Sequence, residues 1–422
     1  MKYILGIARL LVGNLFIFSG LVKANDPLGF SYKLEEYFVE FGMDWGWLHE
    51  ILVPLAALLC IVEIVLGVAL LVGYQMKIVS WSLLIMIVFF TILTGASAIF
   101  EIVRSCGCFG DAIPLTPWES FYKDLILLVF ILLIFFKQKE IKPYKKMSDW
   151  VILFFLSTLL LFPLSRMLDW FMIIEVTIVL WLSLIVKYLS EKENKAAATA
   201  VVLSLFYSLY VTIAAVEYLP FRDFRPYAIG KNIPEQMKLP PNAKPSVYQN
   251  ILVYKNKNTG EVKEMNDSEY NASKIWEDKA WEWQSTDSKL IEKGDEAKIT
   301  DLSVLTHENE EITDLFLAEP KALWVVCYDL DLTSTAHLNE IKELAKAAQQ
   351  NGIKVVGLSA AGKKQKDVFI AEHQLNFDFL VVDGIVLKTM VRSNPGLMYV
   401  ENGTVLGKWH ENEVPNVNEL KQ

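Results

Sequence analysis

Seven long apolar runs constrain this chain more than any other feature. A helix needs about 20 apolar residues to cross a bilayer. The runs cover residues 3–22, 51–74, 77–100, 120–137, 150–165, 170–187 and 197–219, all within the first 220 of 422 residues. The remainder reads as a polar globular chain. With 53% hydrophobic residues and a mean hydropathy of +0.32, the whole is too apolar for an ordinary soluble protein. The expected fold class is an α-helical membrane bundle of about seven spans followed by an external α/β domain. The fifth run is short and joins the sixth through Ser165-Arg166-Met167-Leu168-Asp169, so this pair has a re-entrant element as its alternative. No small-residue cleavage pattern follows residues 3–22, which therefore read as a retained span.

Lysine placement sets the orientation. The loop after the fourth run, Lys137 to Lys146, holds five lysines, and the loop after the sixth, Lys187 to Lys195, is also lysine-rich. Both lie on the side of the N-terminus, as does Lys77, whereas the other side has scattered charges such as Lys33, Arg104 and Arg166. The N-terminus is thus expected in the cytoplasm. Seven crossings would place residues 220–422 outside, in the periplasmic space of a bacterial inner membrane. A net charge of −9 and no basic, aromatic-interleaved patch argue against nucleic acid as a partner. Membrane lipid is the partner that the runs require.

Four cysteines, Cys60, Cys106, Cys108 and Cys327, exclude a disulfide-stapled scaffold. Two of them stand one residue apart in "RSCGCFGDAIPLTPWES", a loop on the expected external side, where disulfides persist. Three readings stay open: small residues in a tight turn, a redox pair, or a soft-metal site for Cu(I) or Zn. In the redox reading Cys106 and Cys108 are catalytic and Gly107, Gly110 and Asp111 support them, the glycines giving the turn its freedom. A Cys-X-Cys ring is small and strained, hence oxidising. The five histidines, His49, His307, His337, His373 and His410, have no metal spacing, and no metal is expected. Cys60, deep in the second run, reads as an apolar filler.

Ionisable residues inside a membrane usually face the bundle and pair. Arg9 and Glu63 differ in depth by about 7 Å when counted from the cytoplasmic ends of their runs, so they are expected to pair. The alternative gives them a part in a proton path or quinone pocket. Glu175 and Glu217 have no evident partner.

"GIARLLVGNLFIFSGLVKANDPLGFSYKLEEYF" and "VEIVLGVALLVG" resemble the first two helices of the DoxX family. "SCGCFGD", followed by "WESFYKDLILL", resembles the MauE branch of that superfamily. The resemblance covers residues 3–137 and implies a four-helix membrane domain associated with thiol-disulfide chemistry.

The chain divides into residues 1–140, the DoxX/MauE-like domain; 141–220, further membrane helices; 221–296, a linker with a small β and Trp-rich segment; and 297–422. In the third part, runs on either side of Asn258-Thr259-Gly260 predict a hairpin, and "KIWEDKAWEWQS" predicts a tryptophan core. In the last, "KITDLSVLTHENEEITDLF" suggests an extended hairpin. A buried strand, a helix ended by Gly352, a strand, a helix and a hairpin turned by Asn402-Gly403 follow. That order, with "SNPGLMYV", resembles the thioredoxin-like superfamily over residues 297–420. The resemblance implies a cis-Pro groove at Asn394 and Pro395 that binds a partner chain. Where that superfamily carries Cys-X-X-Cys, this chain has Asp329 to Thr335 without cysteine, and Cys327 lies in the strand. His337 stands where that motif would end.

These features point to an inner-membrane protein associated with thiol-disulfide redox chemistry, the enzymatic activity in keeping with them being that of a thiol-disulfide oxidoreductase. Its Cys-Gly-Cys pair would exchange with an external thiol protein, and its bundle would pass electrons to a membrane quinone. The alternative is a non-enzymatic membrane scaffold or assembly factor whose external domain is a binding module or a cap over the bundle. Short loops and the lack of internal repeats weigh against a transporter.

Overall fold

The computed structural model describes residues 2–100, 107–190, 192–292 and 294–421. The first half is helical: α1 (Lys2–Asn25), α2 (Pro27–Glu40), α3 (Gly46–Val72), α4 (Met76–Phe100), α5 (Pro117–Phe136), α6 (Met147–Leu168), α7 (Met172–Ser190) and α8 (Glu193–Glu217). Among the described residues six helices, α1, α3, α4, α6, α7 and α8, are long and apolar enough to cross a membrane. This corrects the expected seven. The run over 120–137 is α5, whose first half carries Glu119, Lys123 and Asp124. It still lies antiparallel to α4: Thr94 donates to Asp124 at 3.0 Å, and Ser80, near the start of α4, donates to Gln138 at 3.1 Å. The short fifth and sixth runs are two full helices rather than a re-entrant pair.

Helices α1 and α3 run antiparallel in close contact. A Cβ on Gly67 would lie 2.6 Å from the Gly13 carbonyl oxygen, and one on Gly20 would lie 2.7 Å from the Ile64 side chain. Small residues let membrane helices approach this closely, where lipid supplies no hydrophobic drive for association. One face of the bundle, termed upper here, is where α1 ends. There Asn25 and Arg222, beyond α8, exchange two hydrogen bonds of 2.7 and 3.0 Å, and Arg222 reaches Asp169 between α6 and α7 at 3.1 Å. The lysine-rich loop 137–146 lies at the opposite, lower face, where Arg9 sits over the Tyr144 ring.

Residues 1–230 and 303–422 form one compact unit and residues 231–302 another. The smaller unit holds the short helices α9 (Ile233–Gln236) and α10 (Asp267–Ser273) and strands β1 (Val247–Asn256), β2 (Val262–Asn266) and β3 (Trp281–Glu292), ordered β2-β1-β3. The hairpin expected here is β1-β2. Its core is Tyr254, Met265 and Ile275 with Trp281 against it, while Trp276 and Trp283 stand exposed. The expected tryptophan core thus reduces to one tryptophan.

After α11 (Thr313–Leu317), the C-terminal part runs β4 (Ala322–Val326), α12 (Leu338–Gln350), β5 (Lys354–Ser359), α13 (Lys363–His373), β6 (Phe379–Val381), α14 (Gly384–Met390), β7 (Gly396–Glu401) and β8 (Thr404–His410). The sheet order is β6-β5-β4-β7-β8, with β4, β5 and β6 parallel and the last two antiparallel. Every residue of β4 is buried, as a strand covered on both faces requires. Asn402 and Gly403 both have positive φ, as a two-residue hairpin turn demands. The extended hairpin expected over 298–316 reduces to the bridges Leu305–Glu311 and Leu305–Val381.

Candidate functional site at the upper face of the bundle

The cysteine-bearing loop continues from Gly107 through a 3-10 turn, Gly107–Phe109, to α5. Cys106 and Arg104 lie outside the described residues, and for Cys108 the description extends to the backbone alone. Gly110 has φ +49°, the left-handed conformation that glycine adopts without a Cβ penalty. A Cβ on Gly107 would lie 3.4 Å from the Lys33 side chain, an ordinary packing distance, so the turn lies against α2. Phe109 anchors the turn, buried with its ring 5.3 Å from Phe18 and 5.4 Å from the Lys123 ammonium. Thr116 and Glu119 form a capping box that starts α5 immediately after the loop.

The expected Arg9–Glu63 pair does not form. Arg9 donates to the carbonyls of Leu70 (2.8 Å) and Leu71 (2.5 Å), capping the end of α3. Glu63 instead holds Lys23 at 2.5 Å, both side chains 3% exposed. The two runs do not begin level, so equal counts from their ends do not give equal depths. Gly73 lies beside Arg9, and Glu63 beside Gly20, eleven residues further along α1 and so about 16 Å from the level of Arg9. Lys23, one residue beyond the first apolar run, is the true partner. Glu175 accepts from Tyr207 at 3.2 Å, and the Glu217 carbonyl accepts from Asn412 at 2.7 Å.

The C-terminal sheet domain docks on the upper face through ion pairs. Arg392 Nε lies 2.9 and 3.0 Å from the two Asp26 oxygens and its Nη2 lies 2.9 Å from one of them, with Asp111 Oδ2 at 3.6 Å. Asp26 also caps α2, accepting from the Gly29 amide at 2.9 Å. Burial alone would raise the Asp26 carboxyl; Arg392 and Arg225 outweigh that and hold it below the usual range. A second group centres on Asp223, which takes Arg225 at 2.7 Å and Lys408 at 2.5 Å, while Arg225 also donates to the Thr389 carbonyl at 3.1 Å. Burial opposes the Asp223 charge, but these two cations hold its carboxyl far down. The Tyr32 and Tyr328 hydroxyls meet at 3.3 Å.

Arg392 stands three residues before Pro395, and the Asn394–Pro395 bond is cis. Asn394 ties this segment to the loop after β4: its amide donates to the Asp329 carbonyl at 2.7 Å, it accepts from the Thr333 hydroxyl at 3.2 Å, and its carbonyl accepts from the Ser334 amide at 2.9 Å. Cys327 is buried, which pushes its thiol up to about 12, so it is inert as a nucleophile. His337 precedes α12 at the surface, its ring 3.2 Å from the Glu340 carboxylate and making no capping bond to the helix.

A cavity of about 450 Å³ lies at this junction. Gly107, Gly110 and Asp111 of the loop form one wall, Asp26 and Tyr32 another, and Lys388 and Arg392 a third. That volume suits a small molecule or a few residues of extended chain. The arrangement brings together Gly107, Gly110 and Asp111, adds Asp26 and Arg392, which the sequence reading missed, and leaves Arg9 at the far face. Among the described residues no cluster of metal-ligating side chains occurs.

The family model described as methylamine utilisation protein MauE matches residues 1–137, so this part of the chain is similar to that family. No curated protein and no solved structure matches the chain.

Proposed function

We propose that the Cys106–Cys108 pair carries out thiol-disulfide exchange with an external thiol protein at the upper face of the bundle. The observation that carries this reading is the cavity walled by Gly107, Gly110 and Asp111. It sets the cysteine-bearing loop beside a cavity whose wall also carries Arg392 paired with Asp26. The pair's disulfide accepts electrons from a partner dithiol through a mixed disulfide, and a membrane quinone is the acceptor class suited to re-oxidise it. The positive-inside tendency supports a cytoplasmic lower face, because loop 137–146 is lysine-rich, and an external C-terminal domain in a bacterial inner membrane.

The order of β4 to β8 and the Pro395 segment support a thioredoxin-like domain that has no dithiol of its own. Its role in this reading is to cap the site and guide the partner. A non-enzymatic scaffold is the second reading, favoured by the inert Cys327 and the cysteine-free loop 329–335. Trapping separates the two. A Cys108→Ser variant should accumulate a mixed disulfide to a second protein through Cys106, sensitive to reductant. If no adduct forms with either single variant, the scaffold reading replaces the redox one.

A further inference from the structure

Beneath the cysteine-bearing loop, two ion pairs face one small cavity inside the bundle. Lys23 of α1 meets Glu63 of α3 at 2.5 Å, and Lys123 meets its neighbour Asp124 on α5 at 2.5 Å. Phe109 closes the space on the loop side, and the cavity holds about 30 Å³, enough for one water, which needs only 10–15 Å³ or so. Glu63 is 2% exposed, and its Oε2 is buried without a hydrogen-bond partner. A buried carboxylate oxygen left unsatisfied beside a polar, water-sized space is costly unless a water fills it. Asp124 is fixed by Thr94 at 3.0 Å, and Lys123, at 22% exposure, is the member of the group that reaches toward the surface. Lys23 lies over the rings of Phe30 and Phe90, and Cys60 stands one turn from Glu63 on α3. Paired hydrophobes would fill this space more cheaply than two ion pairs, since charges at membrane depth are expensive.

We propose that Lys23, Glu63, Lys123 and Asp124 enclose a water and form a proton-exchange site, open to the upper face at Lys123, that serves the cysteine pair. This rests on the redox reading only for its purpose. In exchange with a partner dithiol, the partner's two S–H bonds and the Cys106–Cys108 S–S bond break, and the partner's S–S bond and two cysteine S–H bonds form. Two electrons and two protons pass to the pair. The attacking thiol must lose its proton before it attacks, and the departing thiolate must gain one. A site that accepts and returns a proton next to the turn carries that traffic without opening the bundle to solvent.

The test uses full-length protein in lipid vesicles. Infrared difference spectra between acid and alkaline buffer should contain a buried protonated-carboxyl band that shifts in deuterium oxide. Glu63→Gln and Asp124→Asn should each remove part of the band. A Lys23→Met, Glu63→Leu double variant leaves no orphaned charge and should fold. It should lose the Glu63 part of the band and slow exchange at Cys106 and Cys108 at least tenfold, with a flattened pH profile. If the wild type shows no exchangeable carboxyl band, or the double variant keeps both the band and the wild-type pH profile, the proposal fails. A band present while the cysteine pair never forms a disulfide would instead refute the redox reading and leave the proton site standing.

Discussion

Arg392 binds Asp26 across 366 residues of sequence, joining the segment before Pro395 to the end of the first membrane helix. The same carboxylate caps α2, so the residue that turns the chain out of α1 also seats the C-terminal domain. The contact is nearly enclosed, with the Arg392 side chain 7% exposed.

Truncating one partner of such a pair leaves the other charge buried and unpaired. Arg392→Ala and Asp26→Ala are each expected to cost about 3 kcal/mol or more of docking stability. The double variant should cost less than the sum. Gly29→Ala should reproduce part of the loss, since its Cβ would lie 2.6 Å from the Arg392 guanidinium. Spin-label distances between the bundle and the C-terminal domain check this: the variants should broaden a distribution that is narrow in the wild type.

Close packing of α1 on α3 predicts a graded glycine series. Gly67→Ala and Gly13→Ala should each destabilise the bundle by about 1–3 kcal/mol, because the added carbon has no room. Gly6→Ala meets nothing within 4 Å and should be neutral or slightly stabilising. Thermal unfolding in detergent, followed by circular dichroism, ranks the three.

Acid should weaken the C-terminal domain before it weakens the dock. Burial pushes the His410 ring down to about 4, aided by His337, and its Nδ1 accepts from the Asn412 amide at 3.2 Å. The unfolded chain therefore binds the proton more readily. Stability is full above about pH 6.5 and is lost as pH falls toward about 4, by a total on the order of 2 kcal/mol. Asp26 is depressed instead, so its contribution persists above the ordinary carboxylate range and fades only as pH falls below it. His410→Gln should flatten the decline between about pH 6.5 and 4, while Asp26→Asn should leave that decline in place.

Arg9 supplies a separate prediction at the lower face. It satisfies carbonyls at the end of α3, where helix dipole and unpaired acceptors both favour a cation. Arg9→Gln should lower stability by about 1–2 kcal/mol without changing the accessibility of Cys106 or Cys108. Alkylation rates alongside thermal unfolding decide it.

The apolar runs and turn residues made most elements legible. Each expected run is a helix, and Asn402-Gly403 turns the final hairpin, because these signals are local. What stayed hidden depends on helix register and on contacts between distant segments. Arg9 and Glu63 were matched by depth, but α3 ends level with Arg9 rather than with the first residue of α1, and Lys23 took the carboxylate. Lys123 and Asp124 were visible as charges in an apolar run and went unread as a site. Nothing local marks Asp26 and Arg392 as partners; the pairing exists only once the sheet domain folds back on the bundle.

The decisive measurement is the redox state of Cys106 and Cys108 in native membranes, fixed by rapid alkylation and read by mass spectrometry. A redox-active pair gives a disulfide-bonded population that falls when a dithiol partner is supplied or quinone is depleted, and recovers when quinone is restored. Finding both cysteines fully reduced under every one of these conditions would contradict it.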